Sequence, residues 1–199
     1  MAALSQDPEL IRQLREGIDL HSMVAEQAFG PGYTKADRYT AKRGVFGWAY
    51  GGGIPNLARQ LGVSESIMAA IVDSLQLVAP AYVRWADEVK QQVRAGATQM
   101  PTYAGRVIHL PREYPHKAPN FCIQGTAREL LVDALLDWDQ TRWGGGVVLP
   151  VHDEIVAVVP ERDAEEATAA LARCMSRELY GIPIAAEASE PSFAWRDSA

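Results

Sequence analysis

Arg38-Tyr39-Thr40-Ala41-Lys42-Arg43-Gly44-Val45-Phe46-Gly47-Trp48-Ala49-Tyr50-Gly51 is the most informative stretch of the chain. Arg38, Lys42, Phe46 and Tyr50 recur every four residues, so on a helix each lies about 40° from the last and the four share a face roughly 120° wide. Two cations can hold the oxygens of a polyphosphate, Arg as a bidentate fork and Lys as a point charge, and two rings offer planes for a base or sugar. That combination describes a nucleotide. The plainer alternative is an amphipathic helix with a solvated basic end and a buried aromatic end. Gly44 and Gly47 weigh against it, because each costs about 1 kcal/mol relative to Ala inside a helix and implies that something approaches the backbone.

The charge around this stretch sharpens the point. The 199 residues carry 19 Lys+Arg and 25 Asp+Glu, a net charge of −6, which taken whole argues against an anionic partner. From Asp153 onward, however, there are 10 acids and 4 bases, so residues 1–152 are neutral. Within Tyr33 to Arg43, Lys35, Arg38, Lys42 and Arg43 face Asp37 alone.

Outward from here the pattern is helical toward the N-terminus. Asp7-Pro8-Glu9 opens an apolar-periodic helix closed by Gly17, a second runs from Asp19 to Ala28, and the central one spans Lys35 to Tyr50 before Gly51-Gly52-Gly53. Ser64 caps a long helix that Pro80 breaks or kinks, with helical pattern resuming to Gly96. Strands follow. Gln99 to Leu110 reads as a hairpin, Pro119 to Trp138 as a helix, Val147 to Val159 as a second hairpin, Asp163 to Leu179 as a helix and Ile182 to Ala186 as a last strand. The expectation is an α+β protein, with a helical part over 1–95 and an α+β part over 96–199.

Composition excludes several classes. At 48% hydrophobic and 22% charged the chain is an ordinary globular sequence. No apolar run approaches the roughly 18 residues of a membrane span and no secretory leader is visible, so a cytoplasmic protein with no membrane partner is expected. Cys122 and Cys174 form no CxxC pair and read as buried free thiols.

Two further constellations carry chemistry. In Val147-Val148-Leu149-Pro150-Val151-His152-Asp153-Glu154-Ile155-Val156 the polar triplet sits at or near a hairpin turn, where a carboxylate can bind Mg²⁺. With extended backbone, His152 and Glu154 point opposite to Asp153; simple solvation of a turn is the alternative. Asn120, Gln124 and Arg128 repeat at helical spacing with Gly125 beside them, a donor and acceptor stripe suited to minor-groove edges or to water.

Together these segments resemble family A DNA polymerases, the bacterial DNA polymerase I type. Arg38-x3-Lys42-x3-Phe46-Gly-x2-Tyr50-Gly is similar to their fingers helix and Val151-His152-Asp153-Glu154 to their palm hairpin. Asp19-Leu20-His21-Ser22, Thr102-x2-Gly105-Arg106 and Asn120-x3-Gln124-Gly125-Thr126-Ala127 resemble three more of their motifs, in order and across nearly the whole chain. The resemblance implies helical fingers over 1–95, then over 96–199 part of an antiparallel-sheet palm with packed helices and a metal-binding hairpin near 147–159. It implies that His21, Arg38 and Lys42 hold the triphosphate of an incoming deoxynucleotide and that Lys42 is the acid for the pyrophosphate leaving group. Phe46 would pack on the sugar, disfavouring dideoxynucleotides, and Tyr50 would stack at the nascent base pair. Asn120 and Gln124 would touch the minor groove of primer-template DNA, Arg106 its backbone and His152 the primer end. Asp153 would be a ligand of the two-metal Mg²⁺ site, with Glu154 beside it.

Two departures accompany the resemblance. The chain begins at Met1, just before Ala3-Leu4-Ser5-Gln6-Asp7, a stretch that in the family follows a palm strand of pattern Asp-Tyr/Phe-Ser-Gln-Ile-Glu, and His116 stands where the family commonly has Arg. The expectation is therefore the C-terminal part of a truncated or split bacterial or phage-encoded polymerase. Its two-metal site would be incomplete, it would be inactive alone, and it would depend on a separate polypeptide supplying the palm strand and thumb. The rival expectation is a non-catalytic DNA- or nucleotide-binding remnant. A stand-alone phosphohydrolase built on His152-Asp153-Glu154 lacks ligands.

Overall fold

Four helices begin where the sequence supplies a side-chain cap. In the computed structural model, which describes residues 1–194, a single turn α1 (Ala2–Ser5) precedes α2 (Pro8–Glu16), whose first amides, Glu9 and Leu10, donate to the Asp7 side chain. Asp19 caps α3 (Leu20–Phe29) in the same way. Thr34 and Asp37 form a reciprocal capping box on α4 (Lys35–Ala49), and Tyr50 is its C-cap. Ser64 caps α6 (Glu65–Val78), and Pro80 breaks the pattern as expected, starting α7 (Pro80–Arg94).

Two helices were not expected, the single turn α1 and a longer one. Gly53 opens α5 (Ile54–Leu61) with no side-chain cap, so the glycine run that reads as a loop also serves as a helix start, with Pro55 in the first turn. Among the described residues no single helix is long and apolar enough to cross a membrane; α5 and α6 pass that test only as a pair bent by 115°, and Met68, Ile71, Leu75 and Val78 of α6 lie in the protein core.

The chain divides into two compact units, Met1–Ile123 and Gln124–Ala199, and residues 195–199 of the second lie outside the described residues. The first contains α1 to α7, the antiparallel hairpin β1 (Gln99–Pro101) and β2 (Val107–His109), a 3₁₀ turn over Pro115–Lys117 and the start of α8 (Ala118–Asp139). Its core joins Val24 and Ala25 of α3, Ala41 and Val45 of α4, Leu57 of α5, and Met68, Ile71 and Leu75 of α6 to Tyr82 of α7. A second cluster gathers Val89 and Val93 with Leu110, Ala118 and Cys122.

The second unit contains the rest of α8, the hairpin β3 (Val147–Val151) and β4 (Glu154–Ala157), α9 (Ala164–Met175), and the hairpin β5 (Arg177–Leu179) and β6 (Ile182–Ile184). Leu131, Ala134 and Ile155 form one cluster, and Trp138 with Ala167 and Ala170 another. All the sheets among the described residues are two-stranded and antiparallel, so the protein is α+β.

Three local expectations are corrected. The helix expected over Asp163 to Leu179 ends at Met175, because Arg177–Leu179 turns back through Tyr180 and Gly181, both at positive φ, to pair with β6. The last strand stops at Ile184 rather than Ala186. Of the two free thiols, Cys122 is buried, and burial pushes its pKa up to about 11, but Cys174 is only half-buried.

Gly44 and Gly47 have a structural explanation. A Cβ on Gly44 would stand 3.0 Å from Cγ2 of Ile71 and 3.3 Å from Cε of Met68, and one on Gly47 would collide with Cδ2 of Leu57. What approaches the backbone of α4 is its neighbouring helices. The glycines let α5 and α6 lie against its back, which removes them as an argument for a ligand and leaves the front of α4 to make that case.

Candidate functional site

The front of α4 meets α3 around one carboxylate. Asp19 accepts from the amides of His21 at 3.4 Å and Ser22 at 3.1 Å and from the Ser22 hydroxyl at 2.6 Å. Nε of Arg38 also donates to Asp19, at 2.6 Å, and to the Ser22 hydroxyl at 3.2 Å. Partial burial works to raise the Asp19 pKa, but the hydrogen bonds from Arg38 and Ser22, with the charge of Arg38, outweigh it and hold the carboxyl at about 2.

His21 is the next layer. Its ring lies 5.3 Å from that of Phe46, and its Nδ1 is buried without a hydrogen-bond partner. Burial pushes its pKa down; Asp19 opposes this, and the charges of Lys42 and Arg38 add to it, leaving the value below the ordinary 6.5. A neutral imidazole among two cations results. Phe46 and Tyr50 remain 41% and 43% exposed, so both rings keep a face that can be covered. The other carboxylate of this region, Asp37, is engaged with the amide and hydroxyl of Thr34, both at 2.7 Å.

His21, Arg38, Lys42 and Phe46 are thus brought together by α3 and α4, with Tyr50 at the end of the same face. Sequence reading missed the pairing of Asp19 and Ser22 with Arg38. It is a contact across 19 positions, and the only local signal was that Asp19 can cap a helix.

The remaining candidates of the first unit stand on other elements. Arg106 is exposed in the β1–β2 loop, where its carbonyl accepts from the amide and hydroxyl of Thr102, at 2.7 and 3.0 Å, and Gly105 takes a φ of +84°. His116 lies in the 3₁₀ turn, its carbonyl oxygen 2.6 Å from where a Cβ on Gly51 would be, so this turn sits directly against the segment after Tyr50. Asn120 is half-buried in the first turn of α8. One turn on, in the second unit, Gln124 is half-buried, and Arg128 beyond it is exposed.

Also in the second unit, Val151 pairs with Glu154, so His152 and Asp153 alone form the turn of the β3–β4 hairpin. His152 has a φ of +56°, as two-residue hairpin turns require at their first position. The extended alternation expected across His152, Asp153 and Glu154 therefore does not hold, because the chain reverses between Val151 and Glu154. Asp153 is 91% exposed and 3.3 Å from Nδ1 of His152. Among the described residues no three His, Cys, Asp or Glu side chains are grouped to hold a metal ion. The hairpin therefore offers one exposed carboxylate and a neighbour, too few anionic oxygens for two divalent cations. A concavity of about 480 Å³ lies elsewhere in this unit, lined by Arg142, Trp143, Val158 and Asp163 among others.

The DNA polymerase family A sequence model matches residues 1–193. The chain belongs to DNA polymerase family A. It is 33% identical over 198 residues to the DNA polymerase of Mycobacterium phage D29, covering 98% of this chain and 32% of the phage protein. It is 28% identical over 208 residues to DNA polymerase I of Streptococcus pneumoniae, covering 96% of this chain and 24% of that one. The fold matches the POL domain of Pol1 from M. smegmatis, solved in complex with DNA primer-template and dNTP, with a TM-score of 0.77 and 29% identity over 92% of this chain and 35% of that chain. This family A sequence thus spans about a third or less of these relatives.

Proposed function

We propose that this family A chain takes part in template-directed DNA synthesis, the transfer of a deoxynucleotidyl group to a primer 3′ end, by supplying the surface that holds the incoming nucleotide and part of the surface that holds primer-template DNA. The observation that carries this reading is the gathering of His21, Arg38, Lys42 and Phe46 by α3 and α4. In the reaction the primer 3′ hydroxyl gives its proton to water as its oxygen bonds to the α-phosphorus, and the bond to pyrophosphate breaks. Arg38 and Lys42 neutralise the charge that builds on the departing oxygens, and Lys42 donates the proton that pyrophosphate takes up. Neutral His21 donates to a phosphate oxygen without adding charge, Phe46 packs on the sugar, and Tyr50 stacks at the new base pair. Asn120 and Gln124 contact the minor groove, Arg106 the backbone, and His152 the primer end.

Mg²⁺ supplies charge neutralisation in this chemistry, and Asp153, with Glu154 beside it, is the group that would meet it. One hairpin does not make a two-ion site, so no step is assigned to these two residues alone. Polypeptide beyond these 199 residues, in the same or another chain, would contribute further carboxylates, and the isolated chain would bind without synthesising.

Primer extension with Mg²⁺ and deoxynucleotides tests this. No product from the 199-residue chain, and product on adding a polypeptide that carries a polymerase palm strand and thumb, are expected. Robust synthesis by the chain alone would overturn the dependence on added sequence. DNA binding that is salt-sensitive, indifferent to Mg²⁺ and never converted to synthesis would favour a non-catalytic role.

A further inference from the structure

We propose that Asp19, with Ser22, is the positioning residue of the triphosphate site: it holds Arg38 by Nε so that the outer edge of the guanidinium is presented to phosphate oxygens. This inference rests on the nucleotide-binding reading above.

A guanidinium has five N–H donors in a fixed plane, and it recognises an oxyanion bidentately only when that plane is held. On α4, Arg38 alone is a long flexible side chain with many rotamers. In the structure its Nε is 2.6 Å from Oδ2 of Asp19 and 3.2 Å from Oγ of Ser22, while that same Oδ2 is 2.6 Å from the Ser22 hydroxyl. Two acceptors on α3 therefore grip one N–H of a side chain on α4. Nη1 and Nη2 have no hydrogen-bond partner among the described residues and make up the free two-nitrogen edge. Asp19 is itself immobilised, because both its oxygens take helix-capping amides of α3, at His21 and Ser22. The carboxylate stays ionised across the usable pH range, so the grip does not loosen with pH.

The arrangement also limits how much positive charge the site keeps. One carboxylate offsets part of the charge of Arg38, Lys42 and the His21 neighbourhood without occupying the edge that faces an anion. Alternative pairing by the Nη atoms would have blocked the site, whereas pairing by Nε leaves it open.

Asn separates the two duties of Asp19, since Asn caps helices as well as Asp but carries no charge to hold a guanidinium. The test uses the full chain, inorganic tripolyphosphate and dATP as probes, and NMR of the Arg38 Nε–H and of the His21 ring. Asp19→Asn is expected to weaken binding of both probes about tenfold, the scale of losing the alignment of one charged contact. It should lower the thermal melt only slightly, since Asn keeps one of the two capping amides and the other turns to water, while moving the Arg38 Nε–H signal and lowering the His21 titration midpoint, because Asp19 is the charge that supports protonation there. In an Arg38→Ala background the same substitution should change affinity by less than about twofold, since no guanidinium is left to aim.

Parent-like affinity in Asp19→Asn, or an equal loss with and without Arg38, would overturn the positioning role while leaving the site itself intact. Equal probe affinity in the parent and Arg38→Ala, or no binding by the parent, would refute the nucleotide-binding reading and the role with it; the Nε–H signal would then still report whether the pair exists.

Discussion

Asp7 ties two helices of the first unit together through one buried carboxylate. It is fully buried, and its two oxygens serve two helices: Oδ1 accepts from the amides of Glu9 and Leu10 at 2.9 and 3.1 Å, and Oδ2 from the Tyr82 amide at 2.9 Å, in the first turn of α7. Asp7→Ala removes a helix cap worth about 1 kcal/mol. It also strands the buried Tyr82 amide, at about 1–3 kcal/mol, for a total of about 3 kcal/mol. In a chain of this size that lowers Tm by about 6–12 °C. Asp7→Asn is the sharper variant. Its single oxygen can face α2 or α7 but not both, and the NH₂ then points at an N–H group, so it too should destabilise, by at least about 1 kcal/mol. Thermal circular dichroism gives the global effect, and hydrogen exchange at the Tyr82 amide gives the local one, faster by about two orders of magnitude in Asp7→Ala. The consequence reaches the site through α7, where Tyr82 lies edge-on to Trp48 of α4 at 6.3 Å. A Tm within about 2 °C of the parent for both variants would refute the reasoning, since it would mean that neither buried amide depends on this carboxylate.

Other outcomes follow from the same geometry. His21 should titrate below 6.5 by NMR, and Lys42→Ala should raise its midpoint. Because the unfolded chain then binds the proton more tightly, the contribution of His21 to stability is complete above pH 6.5 and declines as the pH falls toward the folded-state value, which urea melts across pH can follow. Gly51→Ala should cost about 2 kcal/mol, because the position has a φ of +88° and a Cβ there meets the His116 carbonyl at 2.6 Å. Gly32→Ala, with open space around it, should stay within about 0.5 kcal/mol in the same melts. In a polymerase completed with a palm strand and thumb, Asp153→Asn should abolish primer extension while dATP binding to α4 persists; near-normal synthesis would remove the assignment.

Much of the helical architecture was legible because its signals are local. Asp7, Asp19, Thr34 and Ser64 are side-chain caps, and the helices start where those residues say. α5 was hidden because Gly53 caps without a side chain, and β5 because nothing in Arg177–Leu179 breaks the helical period; the turn at Tyr180 and Gly181 becomes decisive only once a partner strand is present. The shared face of Arg38, Lys42, Phe46 and Tyr50 was legible from spacing alone. The Asp19 contact was not, since it depends on how α3 crosses α4. Gly44 and Gly47 were read correctly as places of close approach, but sequence could not say that the approaching groups were Ile71, Met68 and Leu57.

That correction strengthens the case for the site by changing its basis. With Gly44 and Gly47 explained by helix packing, α4 is fixed from behind by α5 and α6, and its cations project from a backbone held by buried contacts. The neighbouring carboxylates are both committed, Asp37 to the Thr34 cap and Asp19 to Arg38 through a single nitrogen. Lys42 and the outer edge of Arg38 are left beside a neutral, half-buried imidazole and two half-covered rings. A simple amphipathic helix would pair its cations with carboxylates at four-residue spacing, as Arg12 does with Glu16 on α2. Here the charge is held in place and only partly offset, which is the condition for binding a polyanion with a planar end.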